Sequence, residues 1–385
     1  MQGGRWCCQE VVRPEPRFAL AAASPVGYPR PVMTPIPLLA QRPEALVTAL
    51  AERGVTCSIR EARQVLSRVI SDGSADPTPR VSPRKVLVRA LHEHAEWGRP
   101  EVVERVADGE GKSVRYLFRL RDGLLVEAVR IGLLKADCFT VCLSSQVGCA
   151  MACDFCATGR LGLARNLTAE EIVGTFLTVR DEAPGRVTGA VFMGQGEPFH
   201  SYDAVIQAAY VLSNPAGGRI AHEAVTISTV GLVPQIRRYS REGHPFKLIV
   251  SLTSAVAERR ARLLPVAGRT PLPELVAALR EYAGGAKGRL TLAWVLMRGE
   301  NDGDDEIAAL QAALVDLPYQ LNIIDVNDAR TDGYQRVSPE ELTDFLARLQ
   351  VLQVPLVRRY SVGRDKHSAC GMLAAMRGGT GPAAG

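Results

Sequence analysis

The chain has 385 residues, 46% hydrophobic and 23% charged, enough to bury a full-sized core and to fill one large domain plus a smaller one. A formal net charge of +5 permits a polyanionic partner without requiring one, because a nucleic-acid footprint is a clustered basic face. The longest apolar stretches, such as Gly189 to Met193 and Leu248 to Leu252, fall far short of the roughly 20 residues that cross a bilayer, and the stretch from Met1 to Arg30 lacks a secretory pattern, so a cytoplasmic protein without a membrane anchor is expected.

Taken in chain order, residues 1–36 read as disordered or as lying upstream of the true start, since Met33 opens the first well-patterned stretch. Residues 37–110 read as a small helical domain: Leu46, Val47 and Leu50, then Ala62, Val65 and Leu66, then Leu87, Ala90 and Leu91 recur at three-to-four spacing. Residues 111–135 form a β-hairpin linker, with two apolar runs flanking Asp122-Gly123. Residues 136–376 alternate short apolar runs with helical segments, at Phe139–Ser145, Gly189–Gly194, Ala224–Gly231, Lys247–Thr253, Leu290–Met297 and Gln320–Asn327, with a further run at Pro355–Ser361. The expected fold is therefore α/β, a partial (β/α)6 barrel of parallel strands whose C-terminal ends carry the site. The tail, 377–385, is too rich in Gly, Pro and Ala to build a core.

Nine cysteines, five of them between Cys138 and Cys156, fit a disulfide scaffold badly and a metal site well, and imply a reducing compartment. Cys149-Ala-Met-Ala-Cys153-Asp-Phe-Cys156 follows the first parallel strand. Three thiolates can ligate three irons of a cubane and leave the fourth open, where most electron-transfer clusters use a fourth Cys. S-adenosylmethionine can chelate that open iron through its amino and carboxylate groups; one-electron reduction then breaks a carbon–sulfur bond to give a 5′-deoxyadenosyl radical. The competing reading is a set of buried or zinc-binding thiols, but zinc normally takes four ligands and none follows at finger spacing. The loop resembles that of the radical S-adenosylmethionine superfamily, which implies one [4Fe-4S] cluster on Cys149, Cys153 and Cys156.

Gly194-Gln-Gly196-Glu197-Pro198 ends the second strand, where Gly196 lets the backbone approach a ligand and Glu197 can accept hydrogen bonds from the methionine ammonium. Ser228, Ser251-Leu252-Thr253 and Asn327 fall at later strand ends and suit ribose hydroxyls and adenine; singly each also reads as a cap or turn residue, and only the common rim raises them. Cys142 and Cys370 are the remaining informative thiols, and composition leaves open whether they are inert core packing.

Five stretches, Cys142-Leu-Ser-Ser-Gln-Val-Gly-Cys149, Arg165-Asn-Leu-Thr-Ala-Glu-Glu, Phe192-Met-Gly-Gln-Gly-Glu-Pro198, Ile227-Ser-Thr-Val-Gly-Leu-Val-Pro234 and Ala369-Cys-Gly371, together resemble the RlmN/Cfr family of radical S-adenosylmethionine RNA methyltransferases. The resemblance implies two S-adenosylmethionine molecules per turnover. One methylates Cys370; the second yields the radical that takes hydrogen from that methyl group, and the methylene radical adds to an adenine carbon of rRNA or tRNA, C2 in the RlmN-like branch. Such a path suits C2 or C8, which are electron-poor and cannot attack a sulfonium methyl as nucleophiles. It further implies that Cys142 resolves the protein–RNA adduct through a transient disulfide with Cys370, and that Glu127 is the proton acceptor, although two residues are inserted between it and Cys142 and a surface strand Glu is the plain alternative. A small electron donor such as flavodoxin or ferredoxin, a monomeric enzyme, an RNA-contacting role for the 37–110 domain, and phosphate contacts from its basic residues and from Arg160 and Arg165 complete the expectation. Two departures stand out: the family's usual Ser-Leu-His is here Ser251-Leu252-Thr253, and its proline-flanked asparagine is Val326-Asn327-Asp328. The alternatives are a paralogue acting on adenine C8 or on a non-RNA substrate, and a non-catalytic iron–sulfur or zinc protein that binds RNA.

Overall fold

The computed structural model describes residues 34–109, 111–285, 290–328, 330–359 and 371–374. The readings made for residues 1–33, for the 377–385 tail and for Cys370 lie outside them. Three helices, α1 (Pro43–Ala51), α2 (Ile59–Leu66) and α3 (Lys85–His94), stand between two short strands, β1 (Ile36–Pro37) and β2 (Ala95–Glu96), which pair in parallel. Pro43 opens α1 with its φ already set for a helix, and Ser58 and Glu61 cap α2 reciprocally. The apolar sides of these helices join the same core as the rest of the described chain. Gln207 Nε2 donates to the Ala40 carbonyl at 2.7 Å and Ser71 Oγ to that of Gly217 at 2.7 Å, so polar bonds reinforce the seam.

Next come β3 (Glu101–Ala107), β4 (Ser113–Arg119) and β5 (Leu125–Gly132), an antiparallel meander whose second turn is the expected hairpin at Asp122-Gly123. Strand β3 falls inside the span read as helical. It is an edge strand with only Val102 and Val106 partly buried, so it carries almost no alternation to read.

From β6 (Cys138–Leu143) the chain alternates strands with crossover helices. A small antiparallel pair, β7 (Gln146–Cys149) and β8 (Gly162–Asn166), brackets the single turn α4 (Ala157–Arg160). Then follow α5 (Ala169–Asp181), β9 (Arg186–Phe192), α6 (Tyr202–Ser213), β10 (Val225–Thr229), α7 (Val233–Glu242), β11 (Lys247–Ser251), α8 (Ala257–Leu263), α9 (Leu272–Gly285), β12 (Leu290–Leu296), α10 (Asp304–Ala313), β13 (Tyr319–Asp325), α11 (Pro339–Arg348) and β14 (Leu356–Arg359). β6 and β9 to β14 are parallel and pair in chain order; β5, β4 and β3 extend them into an open ten-stranded sheet. This is the expected α/β partial barrel, with the run at 355–361 supplying one more parallel strand. Helix-covered parallel strands are buried on both faces, which is why Leu248-Ile-Val250 and Leu290 to Leu296 are nearly unbroken apolar runs.

The cysteine loop is fixed at both ends by the β7–β8 ladder, in which Cys149 faces Gly162 and Gln146 faces Asn166. Gly148 makes that ladder possible, since a Cβ there would lie 2.0 Å from the Gly162 carbonyl oxygen.

Candidate active site

A pocket opens at the C-terminal ends of the parallel strands. The structure brings Cys149, Cys153 and Cys156 to its wall together with Gly196 and Glu197. Ser228, Ser251 and Asn327 reach the same pocket from β10, β11 and the end of β13. Ala152, at φ +54°, turns the cysteine loop back on itself, and the Met151 N–H donates to Cys149 Sγ at 3.5 Å. Burial pushes the Cys149 thiol up to about 12 and that of Cys153 well above its ordinary value, so both are neutral thiols until a metal displaces the proton.

Glu197 is fully enclosed. Its Oε1 accepts the Phe199 N–H at 2.9 Å and its Oε2 the Val230 N–H at 2.9 Å. Burial raises its carboxyl to about 7, against the opposing pull of Thr229 and the Val230 and Phe199 N–H groups. An ammonium entering the pocket would draw the proton off and pair with the free lone pairs. Gln146 positions this carboxylate: its Oε1 accepts the Glu197 N–H at 2.8 Å, while its Nε2 donates to Asn166 Oδ1 at 2.7 Å. Gln146 stands in the Cys142-to-Cys149 stretch, but nothing in its spacing marks it as a support.

Leu252 and Thr253, expected beside the cofactor, do not line the pocket wall. Their N–H groups donate to the Ala293 carbonyl at 2.9 and 3.3 Å, and Thr253 then turns at φ +59°, a costly conformation for a β-branched residue. Two buried side chains hold that turn: Asn301 Nδ2 donates to the Thr253 carbonyl at 2.6 Å, and Glu306 Oε2 accepts the Ala255 N–H at 2.7 Å. Neither Asn301 nor Glu306 carries a sequence signal, because their burial arises only when β12 and α10 pack beside β11.

Glu127, on β5, is 1% exposed rather than displayed on a strand surface. Arg115 Nη1 donates to its Oε1 at 2.6 Å and the Ala374 N–H to its Oε2 at 2.8 Å. Gln195 and Ser144 tie the Glu127 backbone to the end of β9. Cys142, on β6, is buried against Val129 and Leu373. Arg165, expected to meet phosphate, grips Glu171 with two bonds of 2.8 and 2.9 Å and Asp122 at 2.6 Å, joining the hairpin turn to the α5 cap. Arg160 Nη1 donates to the Asp154 carbonyl at 2.9 Å.

Residues 143–310 match the Radical SAM superfamily. Over 322 residues the chain is 48% identical to a "probable RNA methyltransferase" of Anaeromyxobacter sp., covering 82% of this chain and 93% of that protein. It is 40% identical over 291 residues to the dual-specificity RNA methyltransferase RlmN of Syntrophotalea carbinolica, covering 75% of this chain and 76% of the relative. The chain belongs to the RlmN/Cfr family of radical S-adenosylmethionine RNA methyltransferases. The crystal structure of a radical SAM methyltransferase from Sphaerobacter thermophilus superposes with a TM-score of 0.80 at 35% identity, over 88% of this chain and 99% of that one.

As an RlmN/Cfr enzyme the chain is an S-adenosylmethionine-dependent RNA methyltransferase with a [4Fe-4S] cluster and two S-adenosylmethionine molecules per turnover. The pocket suits both groups: three cysteines share one wall, Glu197 stands ready for an ammonium, and Gly196 leaves the backbone bare. Gly196 is at φ +98°, and a Cβ there would lie 2.5 Å from the Gln146 side chain and 2.8 Å from its backbone nitrogen. Gly196→Ala should therefore destabilise the fold by about 1–3 kcal/mol and weaken S-adenosylmethionine binding by displacing Glu197. Urea unfolding and equilibrium binding measure the two effects; wild-type values in both would show that Gln146 yields freely and does not position Glu197.

Proposed function

We propose that this RlmN/Cfr enzyme methylates C2 of an adenine in ribosomal and/or transfer RNA through a methyl-cysteine formed on Cys370, with its cluster on Cys149, Cys153 and Cys156. One observation carries the reading: the segment that follows Cys370 is sewn into the pocket. The Ala157 N–H donates to the Gly371 carbonyl at 2.7 Å and Thr158 Oγ1 to the Leu373 carbonyl at 2.6 Å, which ties the segment to the cysteine loop. Ala374 is bonded to Glu127, and Leu373 packs on Cys142. Gly371 itself lines the pocket. The cysteine loop, Glu127 and Cys142 therefore all touch the four residues after Cys370.

When bound, the cluster and S-adenosylmethionine supply a radical able to take hydrogen from a methyl group. Glu197 with Gly196 holds the methionine end, while Ser228, Ser251 and Asn327 hold the adenosine end. Cys370 carries the methyl carbon to the base. Glu127, oriented by Arg115 and the Ala374 N–H, accepts the proton from the adenine carbon; the Cys142 thiolate then attacks the Cys370 sulfur, the S–S bond forming as the carbon–sulfur bond breaks and the carbon taking the electron pair and a proton to become the methyl group. The helical segment 37–110 would contribute to RNA docking. The reading further assigns a flavodoxin- or ferredoxin-like electron donor and a monomer working in the cytoplasm; no helix among the described residues is long and apolar enough to cross a membrane.

Mass spectrometry of rRNA and tRNA digests from a deletion strain, with and without the returned gene, tests the assignment. We expect 2-methyladenosine to vanish on deletion and to reappear on complementation. Loss of 8-methyladenosine instead would favour the C8 alternative, and unchanged adenosine methylation would overturn both.

A further inference from the structure

We propose that Asp154, Asp328, Arg330 and Tyr334 form a clamp between the cysteine loop and the loop after β13, and that this clamp sets the seat of the segment that carries Cys370. They are positioning residues, acting through the two loops they join. Asp154 stands between Cys153 and Cys156. Its N–H donates to the Leu263 carbonyl at 3.2 Å, so the end of α8 holds the loop from one side. From the other side Tyr334 Oη donates to its Oδ2 at 2.7 Å, and Arg330 Nη1 pairs with its Oδ1 at 3.5 Å. Arg330 Nη2 also donates to the Asp154 carbonyl at 3.2 Å, so side chain and backbone are gripped together.

Asp328 organises the opposing loop. Its side chain is 0% exposed, and its two oxygens share Arg330 Nε at 3.0 Å while Oδ2 accepts Nη2 at 2.5 Å. The same carboxylate accepts the N–H groups of Arg330 at 3.1 Å and of Tyr334 at 3.4 Å, which folds the loop around it. Gly333 makes room, since a Cβ there would lie 2.5 Å from the Asp328 carboxyl carbon. The clamp is thus built at Val326-Asn327-Asp328, where the sequence departs from the family pattern. Arg160, on the Asp154 carbonyl at 2.9 Å and 3.9 Å from Asp328, completes two carboxylates matched by two guanidiniums, so the group acts by geometry rather than by surplus charge. The joined loops enclose the residue next to Cys370. The position a Gly371 Cβ would take is 3.7 Å from the Asn327 carbonyl oxygen and 3.7 Å from that of Phe155. Asn327 precedes Asp328 and Phe155 follows Asp154, so each wall of this slot is one residue from an anchor of the clamp. Loosening the clamp widens the slot and lets Cys370 leave its place.

The inference rests on Cys370 carrying the methyl group, and the experiment separates the two. Tyr334→Phe and Arg330→Gln are compared with wild type, first as ligand-free proteins by hydrogen–deuterium exchange with peptide mass spectrometry. Amides of Ala157 and of residues 371–374 should exchange about tenfold faster in both variants, while those of β12 keep wild-type rates, because only the slot is loosened. The reconstituted enzymes are then given S-adenosylmethionine and RNA, and 5′-deoxyadenosine released per methylated adenosine is counted. That ratio should rise about tenfold, since a small misplacement of the Cys370 methyl group leaves the radical to take hydrogen from another C–H or S–H bond. A general loss of stability would lower both products together and leave the ratio unchanged. Tyr334→Phe removes one hydroxyl and decides alone should Arg330→Gln fail to fold. Wild-type exchange at 371–374, or a wild-type ratio, in the folded variants would overturn the clamp. Methylation of RNA by Cys370→Ala would instead sink the methyl-cysteine reading beneath it.

Discussion

Cys149→Ala, Cys153→Ala and Cys156→Ala should each abolish the four-iron cluster and with it all methyl transfer. Each thiolate would hold its own iron, so no loss is shared among the others, and among the described residues no other thiol stands at the loop. Cys142 packs in a separate apolar cluster against Val129 and Leu373, and Cys57 belongs to the core that the helical segment joins. The β7–β8 ladder that fixes the loop involves backbone pairing and survives a Cys→Ala change, so each variant should fold and fail only in metal binding. Iron and sulfide content and the visible absorbance of the anaerobically reconstituted variants give the answer. Wild-type iron in any one of them would return that cysteine to core packing.

The second large effect separates the two remaining thiols. Cys142→Ala should trap the enzyme covalently on its RNA, whereas Cys370→Ala should give neither product nor adduct. On the proposed route Cys370 supplies the methylene carbon, so its loss stops the reaction before RNA is touched. On that route Cys142 acts afterwards: its thiolate attacks the sulfur of the crosslink, the S–S bond forms as the carbon–sulfur bond breaks, and the carbon takes the electron pair and a proton to become the methyl group on the base. Nuclease digestion followed by peptide mass spectrometry should find an adenosine-bearing peptide containing Cys370 in Cys142→Ala and none in the double variant. Turnover by Cys370→Ala at an undiminished rate would remove the methyl-cysteine route and leave Cys142 as a packing residue of β6.

Much of this enzyme is legible in its sequence because the determining signals are local. Three cysteines within eight positions must share a loop wherever the fold puts them, and long apolar runs alternating with helical stretches can satisfy their backbones only as helix-covered parallel strands. Asp122-Gly123 names its own turn, and Thr168 with Glu171 caps its own helix. β3 escaped because an exposed edge strand has little burial to impose a period. The ion pairs of Arg165 were not legible, because charge in a sequence does not show whether a carboxylate waits for it; here Asp122 and Glu171 do, brought together by the hairpin and α5. Only the tertiary structure decided that Glu127 is buried under Ala374 and that Asn301 and Glu306 hold the Thr253 turn away from the pocket wall. Those facts depend on contacts between segments tens to hundreds of residues apart, and burial, which sets the cost of a lone charge or a strained turn, exists only once such segments have packed.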